Sequence, residues 1–315
     1  MVLHLVLLGI GLVCLLGGGD ALVRGSVALA ARLGVAPVLI GLTVVAFGTS
    51  APELVVNLLA AGRGSPDLGF GNVIGSNIAN IGLILGIAAL VAPAPVHRTL
   101  VVRDLPLLVV ASVVVLALGA PQLLAGGFGR RDGVVLLVLF AGFLTLIARE
   151  ALSQRAALVR EADRIPPGSP WTTGFLLAGG LAGLVVGAEL TVRGAVGAAT
   201  LMGISEAIVG LTVVAVGTSL PELATSLQAA RRGQADVAIG NVVGSNLFNL
   251  LFIWGTTVTF FPSPIPARGE QDLLVMTAFA AGVLFMGVRG SKVGRVGGAV
   301  LLAGYVGYVS WLALR

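Results

Sequence analysis

Residues 41–80 read GLTVVAFGTSAPELVVNLLAAGRGSPDLGFGNVIGSNIAN, and residues 210–249 read GLTVVAVGTSLPELATSLQAARRGQADVAIGNVVGSNLFN. The two stretches align without gaps at a constant offset of 169, with 25 of 40 positions identical. Identity this dense does not come from biased composition, so the chain carries an internal duplication. The register extends upstream, where Asp20 aligns with Glu189 and Arg24 with Arg193. Polar, acidic and helix-breaking residues are kept as often as apolar ones, which a scaffold duplicated for packing alone does not require.

The surrounding sequence places the duplication in a membrane. Of 315 residues, 57% are hydrophobic and 10% are charged, and mean hydropathy is +1.05. A soluble domain carries about one quarter charged residues, so this chain cannot clothe a water-facing surface. Soluble, fibrous, disulfide-stapled and disordered classes are excluded. Cys14 is the single cysteine and forms neither an internal disulfide nor a thiolate metal cluster. The basic balance comes from arginine scattered between apolar runs, with no aromatic-interleaved basic stretch, so nucleic acid is not an expected partner.

Apolar runs and breakers predict ten transmembrane helices, at about 2–33, 36–62, 67–91, 101–119, 133–149, 172–201, 205–230, 236–260, 271–288 and 294–313. Residues 1–10 hold no Lys or Arg, so the first span is read as retained rather than as a signal peptide. Five spans form a first repeat at 1–149, a short linker occupies 150–171, and five more form a second repeat at 172–315. An odd number of spans per copy makes the second copy enter the membrane from the opposite side. The expected fold is an all-α polytopic membrane protein, built as two inverted five-helix repeats with broken helices at the midplane. Loops on one side, with their helix ends, hold 13 of the 19 basic residues and the other side holds 6. The positive-inside rule then places both termini outside a cell membrane and the linker in the cytoplasm.

Each copy carries Gly-Thr-Ser-x-Pro-Glu inside apolar sequence: Gly48, Thr49, Ser50, Pro52 and Glu53, then Gly217, Thr218, Ser219, Pro221 and Glu222. Proline four residues after glycine leaves the Gly48 and Gly217 carbonyls without their helical donors, so the helices are expected to unwind there. Carbonyls of Ala46, Thr49, Ala215 and Thr218 are expected to turn inward as well. Carbonyls, hydroxyls and carboxylates are the ligands of hard cations such as Na⁺ and Ca²⁺. A glutamate in a membrane span costs roughly 2.5 kcal/mol or more without compensation, and neither Glu53 nor Glu222 has a basic residue within four positions. Together they balance one Ca²⁺ or two Na⁺. A protonated glutamate bonded to a carbonyl is the structural alternative.

The second constellation is Gly-Asn-Val-x-Gly-Ser-Asn-x-x-Asn, with Asn72, Ser76, Asn77 and Asn80 matched by Asn241, Ser245, Asn246 and Asn249. Ser76 with Asn80, and Ser245 with Asn249, lie four apart and share one helical face. Asn77 and Asn246 are expected to cap half-helices broken at Gly75 and Gly244. Asn72 and Asn241 suit either a site or interhelical hydrogen bonding. Asp20–Arg24 and Glu189–Arg193 read as ion pairs within a helix, and His4 and His97 as interfacial. Asp67 and Asp236 read as helix starts.

The paired GTSxPE and GNxxGSNxxN segments resemble the alpha repeats of the sodium/calcium exchanger family, in a prokaryotic-type form. The resemblance implies Na⁺/Ca²⁺ exchange by alternating access, with the first and sixth spans sliding over the others. It also implies a cation site lined by Ala46, Thr49, Ser50, Glu53, Ser76, Asn80, Ala215, Thr218, Ser219, Glu222, Ser245 and Asn249. Family members often carry aspartate at one of the positions held here by Asn80 and Asn249, and in potassium-dependent relatives that aspartate is linked to potassium transport. Asparagine at both argues against a potassium requirement. The short linker has no room for a calcium-sensing insertion.

No Ser–His–Asp set, HExxH motif or phosphate loop is present, so an enzyme is not expected. Nor is a resident cofactor or an obligatory protein partner, the expected partners being Ca²⁺, Na⁺ and the bilayer. A Ca²⁺/H⁺ antiporter on the same fold is the alternative. A gated cation channel, fast and uncoupled, is the rival from another class.

Overall fold

The computed structural model describes residues 1–96, 98–120, 127–158, 169–202, 217–290 and 292–314. In chain order its helices are α1 (Val2–Leu33), α2 (Pro37–Thr49), α3 (Ala51–Gly62), α4 (Pro66–Val91), α5 (Leu100–Gly119), α6 (Arg130–Leu158), α7 (Pro170–Leu201), α8 (Leu220–Arg231), α9 (Ala235–Phe260), α10 (Gly269–Arg289) and α11 (Arg295–Leu314). Eight of these are long and apolar enough to cross a membrane, and α2 with α3 makes a ninth span bent by 42°. The span expected at 205–230 is described only from Gly217 onward, so nine spans are counted among the described residues.

The bend follows from the motif. Ser50 leaves helical geometry at φ −85°, ψ 3°, and α3 restarts with Pro52 in its first turn. Ser219 adopts φ −89°, ψ 6° before Pro221 in the first turn of α8. A proline cannot donate to the preceding turn but has the φ that a first turn needs, so the same break recurs in both copies.

Two expectations are corrected. Gly75 and Gly244 do not break their helices: α4 and α9 run through them and widen instead into π-helical turns at Asn80–Leu85 and Phe248–Ile253. A glycine without a following proline costs a helix only about 1 kcal/mol, and Gly244 recovers this through close packing on Leu42 and Ala46. Asn77 and Asn246 therefore cap nothing. Asn77 donates to the Val73 carbonyl at 2.7 Å, and Asn246 accepts from Asn80 at 3.2 Å. The stretch read as a linker from residue 150 begins as helix, since α6 continues to Leu158. Good helix formers carry it on, and Gln154 is held by Glu150 and by the Ala36 amide between α1 and α2.

Glycines set the closest approaches. In α1, Gly11 and Gly18 face Gly187 and Gly180 of α7, and a Cβ on Gly18 would lie 2.8 Å from the Gly180 carbonyl oxygen. These glycines are themselves related by the offset of 169, as are Gly25 and Gly194. Small residues let backbones touch where lipid supplies no hydrophobic drive between helices. Gly41 of α2 meets Gly240 of α9 in the same manner, which brings the first broken helix against the second repeat.

Two short ribbons tie the loops. β1 (Ala94–Pro95) pairs antiparallel with β4 (Lys292–Val293), and β2 (Gly127–Phe128) with β3 (Ser263–Pro264). Phe128 and Phe70 stand edge-on to Trp254 with centroids 5.2 and 5.8 Å away, filling the core beneath the second ribbon.

Candidate cation-binding site

The two breaks meet at the centre of the bundle. Glu53 and Glu222 each lie in the first turn of a helix, where the positive end of the backbone dipole favours an anion. Neither is more than 1% exposed. Ser50 Oγ donates to Glu222 Oε1 at 3.1 Å, across the repeats. Thr49 Oγ1 donates to Asn241 Oδ1 at 3.2 Å, and its counterpart Thr218 Oγ1 to Asn72 Oδ1 at 3.4 Å, so the duplication is preserved in the contacts as well as in the sequence. Ser219 Oγ donates to Ser76 Oγ at 3.4 Å, and Asn80 Nδ2 to Asn246 Oδ1 at 3.2 Å. Each of these bonds joins one copy to the other.

What remains unsatisfied is acceptor-rich. Both carboxylate oxygens of Glu53, Oε2 of Glu222, Oδ1 of Asn80, Oδ1 of Asn249 and Oγ of Ser245 are buried without a hydrogen-bond partner. A buried polar group left so costs about 1–3 kcal/mol, and more when charged. An array of such oxygens is compensated by a cation that takes oxygen ligands. No Arg or Lys forms an ion pair with either glutamate among the described residues. The donor set contains no thiolate or imidazole, which fits Na⁺ or Ca²⁺ rather than a transition metal.

The sodium/calcium exchanger protein family matches residues 3–149 and 172–314. The chain belongs to that family. Relatives include the inner membrane protein YrbG of Escherichia coli, 39% identical over 100% of this chain and 97% of that protein. The putative antiporter CaxA of Alkalimonas amylolytica is 38% identical over 95% of each. The sodium/calcium exchanger MaX1 of Methanosarcina acetivorans is 30% identical over 97% of each. The solved sodium-calcium exchanger NCX_Mj superimposes with a TM-score of 0.83 at 33% identity, covering 98% of both chains. The protein is thus an all-helical membrane exchanger by family and fold.

Of the twelve residues that the resemblance implies, eleven lie among the described residues. Ala46, Thr49, Ser50, Glu53, Ser76, Asn80, Ser219, Glu222, Ser245 and Asn249 are buried, and Thr218 is partly buried. Ala215 lies outside the described residues, as does His97. Asn72 and Asn241 prove to be bridges between the copies. Sequence reasoning missed Asn57, Thr225 and Ser226, all at 0% exposure. Asn57 and Ser226 are matched positions holding different residues, so searching for identity between the copies passes over them. Their spacing of four from Glu53 and Glu222 was the available signal.

Asp20 bonds Arg24 within α1, as expected, and also Arg232 at the end of α8. Glu189 pairs with Arg193. Asp67 and Asp236 stand in the first turns of α4 and α9.

Proposed function

We propose that the protein exchanges Na⁺ for Ca²⁺ by alternating access, with Glu53 and Glu222 as shared ligands for which the two ions compete. The observation that carries this reading is the set of buried, partnerless oxygens around two carboxylates. Two negative charges neutralise one Ca²⁺ or two Na⁺ but not both loads together, so occupation by one ion expels the other. The hydroxyls of Thr49, Ser50, Ser76, Thr218, Ser219 and Ser245, the amides of Asn80 and Asn249, and the carbonyls of Ala46 and Ala215 complete the proposed shell. An unloaded site would leave two carboxylates facing each other without water, which disfavours passage through a closed state and couples the two fluxes. MaX1 and NCX_Mj are named as sodium/calcium exchangers, which agrees with this assignment.

The reading includes ten spans in two inverted repeats with both termini outside. Its support is topological. The β1–β4 and β2–β3 ribbons require each pair of loops to share a membrane face, hence an even number of crossings between them. Five described spans separate β1 from β4, and three separate β2 from β3. Both counts are odd, and a further crossing between α7 and α9 would make them even, which supports the ten-span reading.

Uptake of ⁴⁵Ca²⁺ into proteoliposomes tests the coupling ion. An outward Na⁺ gradient should drive accumulation, and a pH gradient without Na⁺ should not. Accumulation driven by pH alone would establish Ca²⁺/H⁺ exchange instead. Rapid flux with no counter-ion would establish a channel.

A further inference from the structure

Glu53, Asn57 and Ala61 follow one another at intervals of four on one face of α3, leading away from the paired carboxylates. Asn57 is fully buried. Its Nδ2 donates to the Glu53 carbonyl at 2.9 Å, which fixes the amide plane, while its Oδ1 has no partner. That oxygen faces Gly69 of α4, where a Cβ would lie 3.1 Å away. Ala61 and Gly69 both line a cavity of about 420 Å³ whose opposite wall is the end of α9 and the residues that follow it, from Trp254 to Ser263. Asn57 therefore sits one helical turn from Glu53 and one from Ala61 of the cavity wall, with a fixed, partnerless oxygen.

The second repeat is built differently at the matched positions. There Ser226 replaces Asn57, and its Oγ already accepts a bond from Asn241 Nδ2 at 3.0 Å. Asn241 is itself held by Thr49. Ala230 and Ala238, the counterparts of Ala61 and Gly69, are buried at 3% and 1% exposure. One copy offers a partnerless oxygen one turn from a cavity wall, and the other offers a bonded hydroxyl in closed packing.

We propose that Asn57 Oδ1 and a Glu53 carboxylate oxygen form an outer subsite for a partly dehydrated Ca²⁺ or Na⁺, entered from this cavity and lacking an equivalent in the second repeat. Ligands four apart on a helix reach one cation together, as two such histidines do in helical zinc sites. The cavity opens at the α3–α4 connection, the face assigned to the outside, so the subsite serves ions arriving from that face only. It rests on the cation-exchange reading and extends it by one residue and by a difference between the two faces.

The test compares Ca²⁺-dependent uptake by right-side-out and inside-out membrane vesicles carrying the wild type or Asn57→Leu, which keeps the volume and removes the oxygen. The apparent KM for Ca²⁺ should rise about tenfold from the outer face and stay within about twofold from the inner face, with Asn57→Asp restoring the outer value. If Asn57→Leu is not recovered in the membrane, Asn57→Ser, the residue of the second repeat, is read in the same way. A leucine variant matching the wild type at both faces overturns the subsite, and so does equal weakening at both. Wild-type uptake driven by protons would refute only the coupling ion and leave this comparison readable. Wild-type vesicles taking up no Ca²⁺ from either face would refute the exchange reading and the subsite together.

Discussion

Ser50 and Ser219 occupy matched positions, yet only Ser50 donates to a carboxylate; Ser219 donates to Ser76. A hydrogen bond to a charged group contributes about 1.5–3 kcal/mol, against about 1 kcal/mol between neutral groups. Ser50→Ala should therefore lower the melting temperature of the detergent-solubilised, cation-free protein more than Ser219→Ala, and added Ca²⁺ should recover part of the loss. Equal shifts in the two variants would mean that the Ser50–Glu222 bond carries no special weight. At this scale the motif residues were legible because they repeat. Asn57 and Ser226 were not, since they differ between the copies. The tie of Thr49 to Asn241 depends on α2 packing against α9, which sequence spacing cannot supply.

The elements were legible to the extent that proline and glycine act locally. Pro52 and Pro221 break their helices as expected, whereas Gly75 and Gly244 do not, because breaking requires a missing donor and glycine retains its N–H. Helix contact makes a sharper prediction. Gly18 lies against the Gly180 backbone, while adjacent Gly17 has no atom within 4 Å of a built Cβ. Gly18→Val should separate α1 from α7 and abolish transport, and Gly17→Val should behave as the wild type in a transport assay and a thermal melt. Loss of function in both would point to helix propensity rather than contact. The Asp20–Arg232 pair joins α1 to α8, but its side chains are 29% and 41% exposed. Arg232→Ala should accordingly change stability by less than about 1 kcal/mol in chemical denaturation.

For the whole molecule, composition made the membrane class legible before any coordinates, and the duplication marked the matched helix breaks at Ser50 and Ser219. The ribbons were not legible: two-residue strands leave no periodic signal, and only the assembled bundle brings Ala94 beside Val293. On the proposed ten-span topology, residues 64 and 233, in the α3–α4 and α8–α9 connections, open on opposite faces. Single cysteines placed there in a Cys14→Ala background should react with an impermeant thiol reagent from opposite sides of sealed vesicles. Labelling from one side would remove the seventh crossing, the one that ends in α8. The central claim, that one pair of carboxylates serves both ions, is tested most directly by equilibrium ⁴⁵Ca²⁺ binding to the purified protein under Na⁺ titration. Na⁺ should displace all bound Ca²⁺, and Glu53→Gln or Glu222→Gln should each weaken Ca²⁺ binding by about thirtyfold or more, the equivalent of about 2 kcal/mol for a buried charge partner. Ca²⁺ that stays bound at saturating Na⁺, or binding unchanged in either glutamine variant, would contradict the shared site.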